Sequence, residues 1–186
     1  TATSGSSNIY SDVGLFTAGF DSAGWKGYVR AQTMDTAGTT SFKWDSADKL
    51  DATSFDVSRR VILTTNDATN TGVPFLWKDA TGANPLSAAQ QAHFTESGTV
   101  TAAVAENRVN FIRGDRTKED GITYRMRKSR QGDIVNSLIW YTGAPASNYS
   151  FPGYRDFASA APKGKADRTK MVYVGGNDGM LHGFSA

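Results

Sequence analysis

Residues 169–186 place the strongest constraint on the fold, because a strand, a tight turn and a second strand follow one another there. Met171-Val-Tyr-Val174 and Met180-Leu-His-Gly-Phe184 contain the β-branched and aromatic residues that suit a pleated sheet. Between them, Asn177-Asp-Gly179 supplies residues that tolerate the positive φ of a tight turn. The sequence therefore predicts a β-hairpin over residues 169–186.

The composition favours many short strands over a helical bundle. The 186 residues include 19 glycines and 5 prolines, and 39% are hydrophobic, which is enough for one sizeable core. A formal net charge of +2 indicates no general attraction to nucleic acid or to an anionic membrane. The absence of cysteine excludes disulfides, thiolate metal sites and a cysteine nucleophile. No apolar run approaches the roughly 20 residues that a transmembrane helix needs.

Local patterns predict a mainly β fold. Residues 1–10 are small and polar at their start and are expected to be a flexible lead-in. Residues 14–21 and 26–34 form a predicted strand pair around a turn. The second of these strands alternates only weakly in polarity, so we expect it to be covered on both faces. Residues 134–141 are predicted to form a further strand.

Residues 84–114 are predicted to be a short helical insert. Asn84 is a suitable N-cap for a helix over residues 86–96, since Pro85 fits the first helical position. A second helix is expected from Thr101 to Arg113, with Gly114 as its C-terminal cap. The insert interrupts an otherwise strand-rich chain.

Residues 173–184, Tyr-Val-Gly-Gly-Asn-Asp-Gly-Met-Leu-His-Gly-Phe, resemble a β-propeller segment of the PilY family, also called PilC, of type IV pilus tip proteins. The family segment has Ala at the positions of Gly176 and Gly183 and agrees elsewhere. Two further family segments are similar to Gly132-Asp-Ile-Val-Asn-Ser137 and Phe111-Ile-Arg-Gly-Asp-Arg116. In the first of these, the family has a Leu before the glycine, where this chain has Gln131. Four shorter matches occur in the family's order: Trp25–Arg30, Trp44–Leu50, Arg59–Thr64 and Val73–Trp77.

The resemblance marks two sets of residues as family motifs, and we expect both sets to be structural. The blade motif of the hairpin comprises Tyr173, Gly175, Asn177, Asp178, Gly179, His182 and Phe184. The other family-like positions are Arg113, Gly114, Asp115, Gly132, Asp133, Asn136 and Ser137. No catalytic residue, metal ligand or cofactor is expected, and no binding residue is assigned.

The resemblance implies that residues 1–186 are a single segment of a β-propeller domain, near its start, in a longer protein. They would form partial blades of antiparallel strands. The implied function is non-catalytic, in pilus biogenesis and surface adhesion, and the implied location is exported, at the cell surface, the pilus tip or outside the cell. Expected partners are minor pilins or other tip proteins, a host or abiotic surface, and either the remainder of the propeller or other copies of the chain.

Two motifs invite other interpretations. Arg113-Gly-Asp115 is the tripeptide of integrin ligands, but it coincides with the predicted end of a helix, so we expect a structural role. Residues 113–130 carry seven basic and three acidic side chains, with Tyr124 as the single aromatic between them. Base-stacking platforms are therefore missing, and we predict a solvated loop with local ion pairs rather than a nucleic-acid site.

Catalysis and calcium binding have little support in the sequence. The two histidines, His93 and His182, fall in a predicted helix and a predicted strand and form no metal-ligand pattern. Neither Asn66–Asn70 nor Asn177–Gly179 has the spacing of a calcium loop. Two alternatives to the pilus function stay open. One is a secreted filament-forming or adhesive module completed by strand exchange between copies. The other is a quinoprotein-like propeller enzyme.

Overall fold

Antiparallel sheets and short helices make up the part of the chain that the computed structural model describes, namely residues 8–10, 14–147, 149–162 and 164–186. These elements confirm the predicted mainly β class. They divide into two units. Unit 1 combines the described residues up to Thr53 with those from Lys128 onward, and unit 2 comprises Ser54–Arg127. That the sheets are blades of one propeller segment stays a prediction.

Unit 1 contains two sheets and two short helices. Its elements are β1 (Asn8–Tyr10), β2 (Gly14–Asp21), β3 (Lys26–Met34), β4 (Thr40–Asp45), α1 (Ser46–Asp51), β7 (Trp140–Thr142), α4 (Tyr154–Phe157), β8 (Met171–Gly175) and β9 (Leu181–Ser185). One sheet has the order β1-β2-β3-β4 and the other has the order β7-β8-β9, all antiparallel. The strand pair β2–β3 has the predicted bounds, whereas residues 8–10, placed in the lead-in, form β1. The rest of the predicted lead-in, residues 1–7, lies outside the described residues.

The two sheets of unit 1 pack face to face around one core. Its buried members come from both sheets and from the segment before β7: Phe16, Ala18, Val29, Ala31, Ile134, Ile139, Val172 and Val174. Aromatic rings cover its edge, since Phe16 stacks on Tyr141 with 6.0 Å between ring centroids, and Trp44 meets Phe184 at 6.0 Å. The core therefore joins strands that are more than a hundred residues apart in the chain.

β3 is covered on both faces near its start, as predicted. Tyr28 and Val29 point to opposite faces and are 6% and 0% exposed. α1 begins where the sequence indicates, because the carboxylate of Asp45 accepts hydrogen bonds from the backbone N–H groups of Ala47 and Asp48. Asp45 also accepts a hydrogen bond from Nε of Arg30 at 2.8 Å, which connects the cap to β3.

The hairpin β8–β9 forms with the predicted turn. Gly179 adopts φ +80°, a left-handed conformation that side chains bearing a Cβ rarely adopt. The N–H of Gly176 donates to the carbonyl of Met180 at 2.9 Å, and this bond closes the turn. The strands continue in register from Gly175 opposite Leu181 to Met171 opposite Ser185.

Gly179→Val is expected to lower the free energy of unfolding by about 1 to 3 kcal/mol. A Cβ at this position would meet nothing within 4 Å, so the loss would come from the positive φ alone. Thermal melting of the wild type and the variant measures it. An unchanged melting midpoint would contradict the assigned turn conformation.

Unit 2 contains one small sheet and the two helices of the predicted insert. Its elements are a 3₁₀ turn (Val57–Arg59), β5 (Leu63–Asn66), β6 (Thr71–Pro74), α2 (Ala88–Phe94) and α3 (Ala102–Arg113). β5 and β6 form a two-stranded antiparallel hairpin. Its core is the contact of Trp77 with Ala105 and Val109 of α3, flanked by Phe75 and Phe94.

Two predicted boundaries were wrong. α2 begins after Ser87 rather than after Asn84, because Ser87 and Gln90 form a reciprocal capping box. Asn84 instead accepts a hydrogen bond from the N–H of Leu86 in a local turn. The predicted strand over residues 134–141 is reduced to β7, because residues 134–139 bend and follow no ladder.

Candidate functional site

The hairpin turn of unit 1 is bound to a distant segment through one carboxylate. Asp178 accepts hydrogen bonds from the backbone N–H of Gly132 at 2.9 Å and of Met180 at 3.2 Å. Nε2 of His182 lies 3.0 and 2.9 Å from its two carboxylate oxygens. The Asp178 side chain is only 23% exposed and that of His182 only 5%. We call residues 132–137 together with residues 173–184 the clip.

Two further hydrogen-bonded contacts reinforce the clip. Asn177 donates its backbone N–H to the carbonyl of Asp133 at 2.9 Å and its side-chain amide to the Asp133 carboxylate at 2.7 Å. The hydroxyl of Ser137 accepts from the N–H of Gly175 at 2.8 Å. Residues 132–137 are therefore bound to the hairpin through side chains and a backbone carbonyl rather than through the regular backbone ladder of a paired strand.

The electrostatics of the clip favour an ionised Asp178. Partial burial disfavours the carboxylate, but the hydrogen bond and charge of His182 and the backbone N–H groups of Gly132 and Met180 outweigh it, so the pKa of Asp178 lies below its ordinary value. An ionised, hydrogen-bonded carboxylate at this point stabilises the folded turn.

Close contacts at Gly132 of the clip require glycine both there and at Gly27 of β3. A Cβ on Gly27, in β3, would collide with the carbonyl oxygen of Gly132. A Cβ on Gly132 would lie 2.7 Å from the Cβ of Asp178. The role of Gly27 was not predicted from the sequence, although a glycine inside a strand often marks the close approach of another backbone segment.

A buried polar chain lies beside the clip. The hydroxyl of Ser46 accepts from the N–H of Val29 at 2.7 Å and donates to the side-chain carbonyl of Gln131 at 2.5 Å. Ser46 and Gln131 are each 1% exposed. Gln131 stands where the resembling family has a Leu, and here its side chain links Ser46 of α1 to the chain just before the clip.

The structure brings together the hairpin motif and the 132–137 motif. Tyr173 lies opposite Gly183 on the outward face of the β7-β8-β9 sheet, and Phe184 packs inward against Trp44. Asn136 is exposed. The third motif, Arg113 to Asp115, belongs to unit 2.

The tripeptide Arg113-Gly-Asp115 ends α3. Gly114 has φ 110° and caps the helix through its N–H, as predicted. The guanidinium of Arg113 is bound to the carbonyls of Phe75 at 2.8 Å and Arg60 at 3.0 Å, and the residue is 7% exposed. The arginine is therefore not displayed as an integrin-type ligand requires.

The basic segment is less solvated than predicted. Arg127 donates to the Glu119 carboxylate at 2.7 Å and to the carbonyls of Phe111 and Asp115, and its guanidinium lies 3.8 Å from the Phe111 ring centroid. Arg116 binds the same carboxylate at 3.1 Å. The predicted local ion pairs are present, but the prediction of a solvated loop was wrong for Arg127 and Glu119, whose side chains are 10% and 4% exposed.

Arg127→Gln is expected to lower the free energy of unfolding of unit 2 by about 3 kcal/mol, because Glu119 would keep a buried charge without its main partner. Arg125→Gln is the matched control, since Arg125 is exposed two residues away, and a change within about 0.5 kcal/mol is expected. Urea unfolding of both variants measures the difference. Equal midpoints would contradict a structural role for Arg127.

The sheet β7-β8-β9 has an open edge and an apolar outward face. No strand pairs with the outer edge of β9 among the described residues, and the register directs the backbone groups of Leu181, Gly183 and Ser185 toward that edge. Trp140 and Leu181 on the outward face are 72% and 74% exposed. An edge and a face of this kind suit a further strand or sheet.

The described ranges contain no candidate metal centre and no candidate membrane helix. No group of three or more His, Asp or Glu residues there is placed to hold a metal ion. None of the helices described is long and apolar enough to cross a bilayer.

Comparison with known proteins identifies relatives along most of the chain. A Type IV pilus biogenesis factor PilY1 from Pseudomonas aeruginosa strain PAK is 34% identical in an alignment of 167 residues that covers 82% of this chain and 13% of the relative. The protein of the same name from strain PAO1 gives the same identity and coverage. A PilY1 homolog from Xylella fastidiosa is 40% identical in an alignment of 94 residues that covers 47% of this chain and 8% of the relative.

The chain spans about an eighth of the length of the P. aeruginosa relatives. No family model and no solved structure matches it. The aligned identity agrees with the family that the hairpin and the 132–137 motif resemble. The chain therefore belongs to the PilY1 family.

Proposed function

We propose that the chain is a non-catalytic segment of a type IV pilus tip protein that acts in pilus biogenesis and surface adhesion. The observation that carries the proposal is the 34% identity over 167 residues to a P. aeruginosa protein named a pilus biogenesis factor. Export and a location at the pilus tip, at the cell surface or outside the cell are part of the same proposal. Minor pilins or other tip proteins are the proposed partners in assembly, and a host or abiotic surface is the proposed partner in adhesion.

The clip supports a mechanical role. Hydrogen bonds from the end of β8 at Gly175 and from the turn residues Asn177 and Asp178 anchor the hairpin to residues 132–137, so a pull on the hairpin would load several bonds together. A tip protein under traction needs segments that do not peel away one bond at a time. The clip supplies that property in unit 1.

The histidines support a non-catalytic role. His182 is 6% exposed and faces Asp178. The other hydrogen bonds of the Asp178 carboxylate are accepted from backbone N–H groups. His93 is exposed on α2. In neither case is a hydroxyl nucleophile hydrogen-bonded to the ring among the described residues, as a catalytic triad requires.

Further sheet structure is the proposed partner of the open edge and outward face. The relatives are about eight times as long as this chain, and the face around Trp140, Tyr173 and Leu181 has the apolar surface that a neighbouring sheet buries. The rest of the longer protein is the first proposed occupant, as in the blades of a propeller. Another copy of the chain is the second.

Gene deletion and complementation test the pilus role. Deleting the gene that encodes this chain is expected to reduce sheared surface pili and twitching, and restoring the full gene should recover both. A gene carrying Asp178→Ala should complement poorly, whereas Asp35→Ala should complement fully because Asp35 stabilises only its own exposed turn. Unchanged piliation after deletion would refute the proposal.

A secreted module that is completed by strand exchange is the second candidate, and the open edge of β9 favours it. Head-to-tail addition of strands would produce filaments or rings. Light scattering and electron microscopy of the 186-residue chain decide it. A compact monomer at micromolar concentration would contradict self-assembly through this edge.

A further inference from the structure

A cleft of about 580 Å³ opens in unit 1 beside the loop that joins β7 to β8. Its walls are the segment 142–147, the rings of Tyr149, Tyr154 and Phe157, and the side chains of Arg168 and Lys170. The volume falls within the roughly 300 to 1,000 Å³ of small-molecule sites. These three rings take no part in the hydrogen bonds of the clip or in the strand pairing of the β7-β8-β9 sheet.

The rings of this aromatic cleft form an exposed cluster. Tyr149 stacks on Phe151 with 5.3 Å between centroids, and Tyr154 meets Tyr149 edge-on at 5.2 Å. Tyr149 and Phe157 remain 60% and 41% exposed. A cluster that served only as the core of its loop would bury these faces, so the exposed rings indicate a binding surface.

The loop holds the cleft in one shape. The N–H of Lys165 donates to the carbonyl of Phe157 at 2.8 Å, and the N–H of Ala166 donates to Ser159 at 2.9 Å. Nε of Arg168 donates to the carbonyl of Gly143, which ties the two ends of the loop together. A cleft ordered before binding loses less entropy when a ligand enters.

The charge of the cleft selects the ligand. Arg168 and Lys170 are the charged side chains among the described residues that line it, and no carboxylate lines it there. The Arg168 guanidinium uses one of its five N–H groups on Gly143 and lies 5.9 Å from the Phe157 ring centroid. The other N–H groups suit a carboxylate, which arginine binds with two parallel hydrogen bonds.

We infer that the aromatic cleft binds the carboxylated sugar units of an acidic glycan. A sugar ring presents an apolar C–H face that stacks on Tyr149 or Phe157, and its carboxylate pairs with Arg168. Ala144, Ala146 and Ser147 line the cleft with small, exposed side chains, which leaves room for the ring hydroxyls. Hexuronates and sialic acids share this chemistry.

The inference rests on the adhesive part of the proposed function, but its test is direct binding to the purified chain. Calorimetric titrations would use an oligogalacturonate, a sialyl oligosaccharide and, as the uncharged probe, a maltooligosaccharide. Saturable binding of one or both acidic sugars, weakening as salt rises, with no binding of the uncharged probe, is the expected result. The two acidic probes distinguish the two sources of the carboxylate.

Matched variants assign the binding to the cleft. Arg168→Gln is expected to weaken affinity roughly tenfold, and Tyr149→Ala roughly threefold to tenfold. Arg168→Lys should retain part of the affinity, because it keeps the charge and loses the two-point geometry. Arg155→Gln and Trp25→Ala are the controls, since both residues are exposed and neither lines the cleft. Thermal melting of each variant establishes that it is folded.

Three results would overturn the inference: no saturable binding of either acidic sugar by the folded chain, equal binding of the uncharged probe, or equal loss in the control variants. The deletion phenotype of the gene is a separate readout. Lost piliation with no sugar binding would refute the glycan site and leave the pilus role standing. Sugar binding with unchanged piliation would refute the pilus role and leave the glycan site standing.

Discussion

Gly27→Ala is expected to lower the free energy of unfolding by about 3 kcal/mol, a large loss for the addition of one methyl group. The new Cβ would collide with the carbonyl oxygen of Gly132 and lie 3.2 Å from the Cα of Asp133. Both obstacles are backbone atoms. Neither side can retreat easily, because β3 is paired with β2 and β4, and the clip holds Gly132 and Asp133.

Gly72→Ala is the matched control for Gly27→Ala. Gly72 also lies in a strand, but a Cβ there would meet nothing within 4 Å. We expect its unfolding free energy to stay within about 0.5 kcal/mol of the wild type. Urea unfolding followed by circular dichroism and tryptophan fluorescence compares the two. A Gly27→Ala midpoint equal to that of Gly72→Ala would show that β3 and residue 132 are not in close contact.

Asp178→Ala is expected to lower the free energy of unfolding by about 3 kcal/mol. The substitution leaves the ring of His182, which is 5% exposed in its side chain, and the less buried N–H of Gly132 without their acceptor, and an unsatisfied buried group costs roughly 1 to 3 kcal/mol. The turn would also lose its bond to the N–H of Met180. Chemical unfolding measures the loss.

Asp35→Ala is the control for the turn contribution of Asp178. Asp35 accepts from the backbone N–H groups of Ala37 and Thr39 in the exposed β3–β4 turn and reaches no distant segment. A loss of about 1 kcal/mol or less is expected there. If Asp178→Ala and Asp35→Ala lower the free energy of unfolding equally, the clip contributes no more stability than an ordinary turn.

The contribution of Asp178 should depend on pH. Its pKa is lowered in the folded chain, where burial is outweighed by the hydrogen bond of His182. The ionised form is therefore the stabilising one, and its contribution is complete above the unfolded pKa of about 3.9. It is lost as the pH falls through the lower folded pKa. The stability gap between wild type and Asp178→Asn should thus shrink as the pH falls below about 4 and through that lower folded pKa, and a constant gap would contradict this assignment.

Local chemistry made several elements predictable. β2 and β3 have the predicted bounds, and Asp45 and Gly114 cap the helices that their positions indicated. These features depend on residues within a few positions of one another. Where two local signals competed, as at Asn84 and Ser87, the reciprocal bonds of Ser87 and Gln90 decided the helix start.

Longer-range features were less accessible. The basic residues near Arg127 have the composition of a solvated loop, and only the fold shows that Arg127 and Arg116 converge on one buried carboxylate. The predicted strand from residue 134 fails for a similar reason, because Gly175 and Asn177 bind the segment through Ser137 and Asp133. Partners of this kind have no signature in the local pattern.

The sequence by itself determined the mainly β class, the hairpin at residues 169–186 and the family, since strand patterns, turn residues and motif identity are written along the chain. Tertiary structure alone decided that Asp178 binds His182 and Gly132, that Gly27 approaches Gly132, and that aromatic rings and Arg168 share a cleft. The physical reason is that burial and hydrogen-bond partnership depend on residues far apart in the chain, which become neighbours only when the two sheets of unit 1 close over their core.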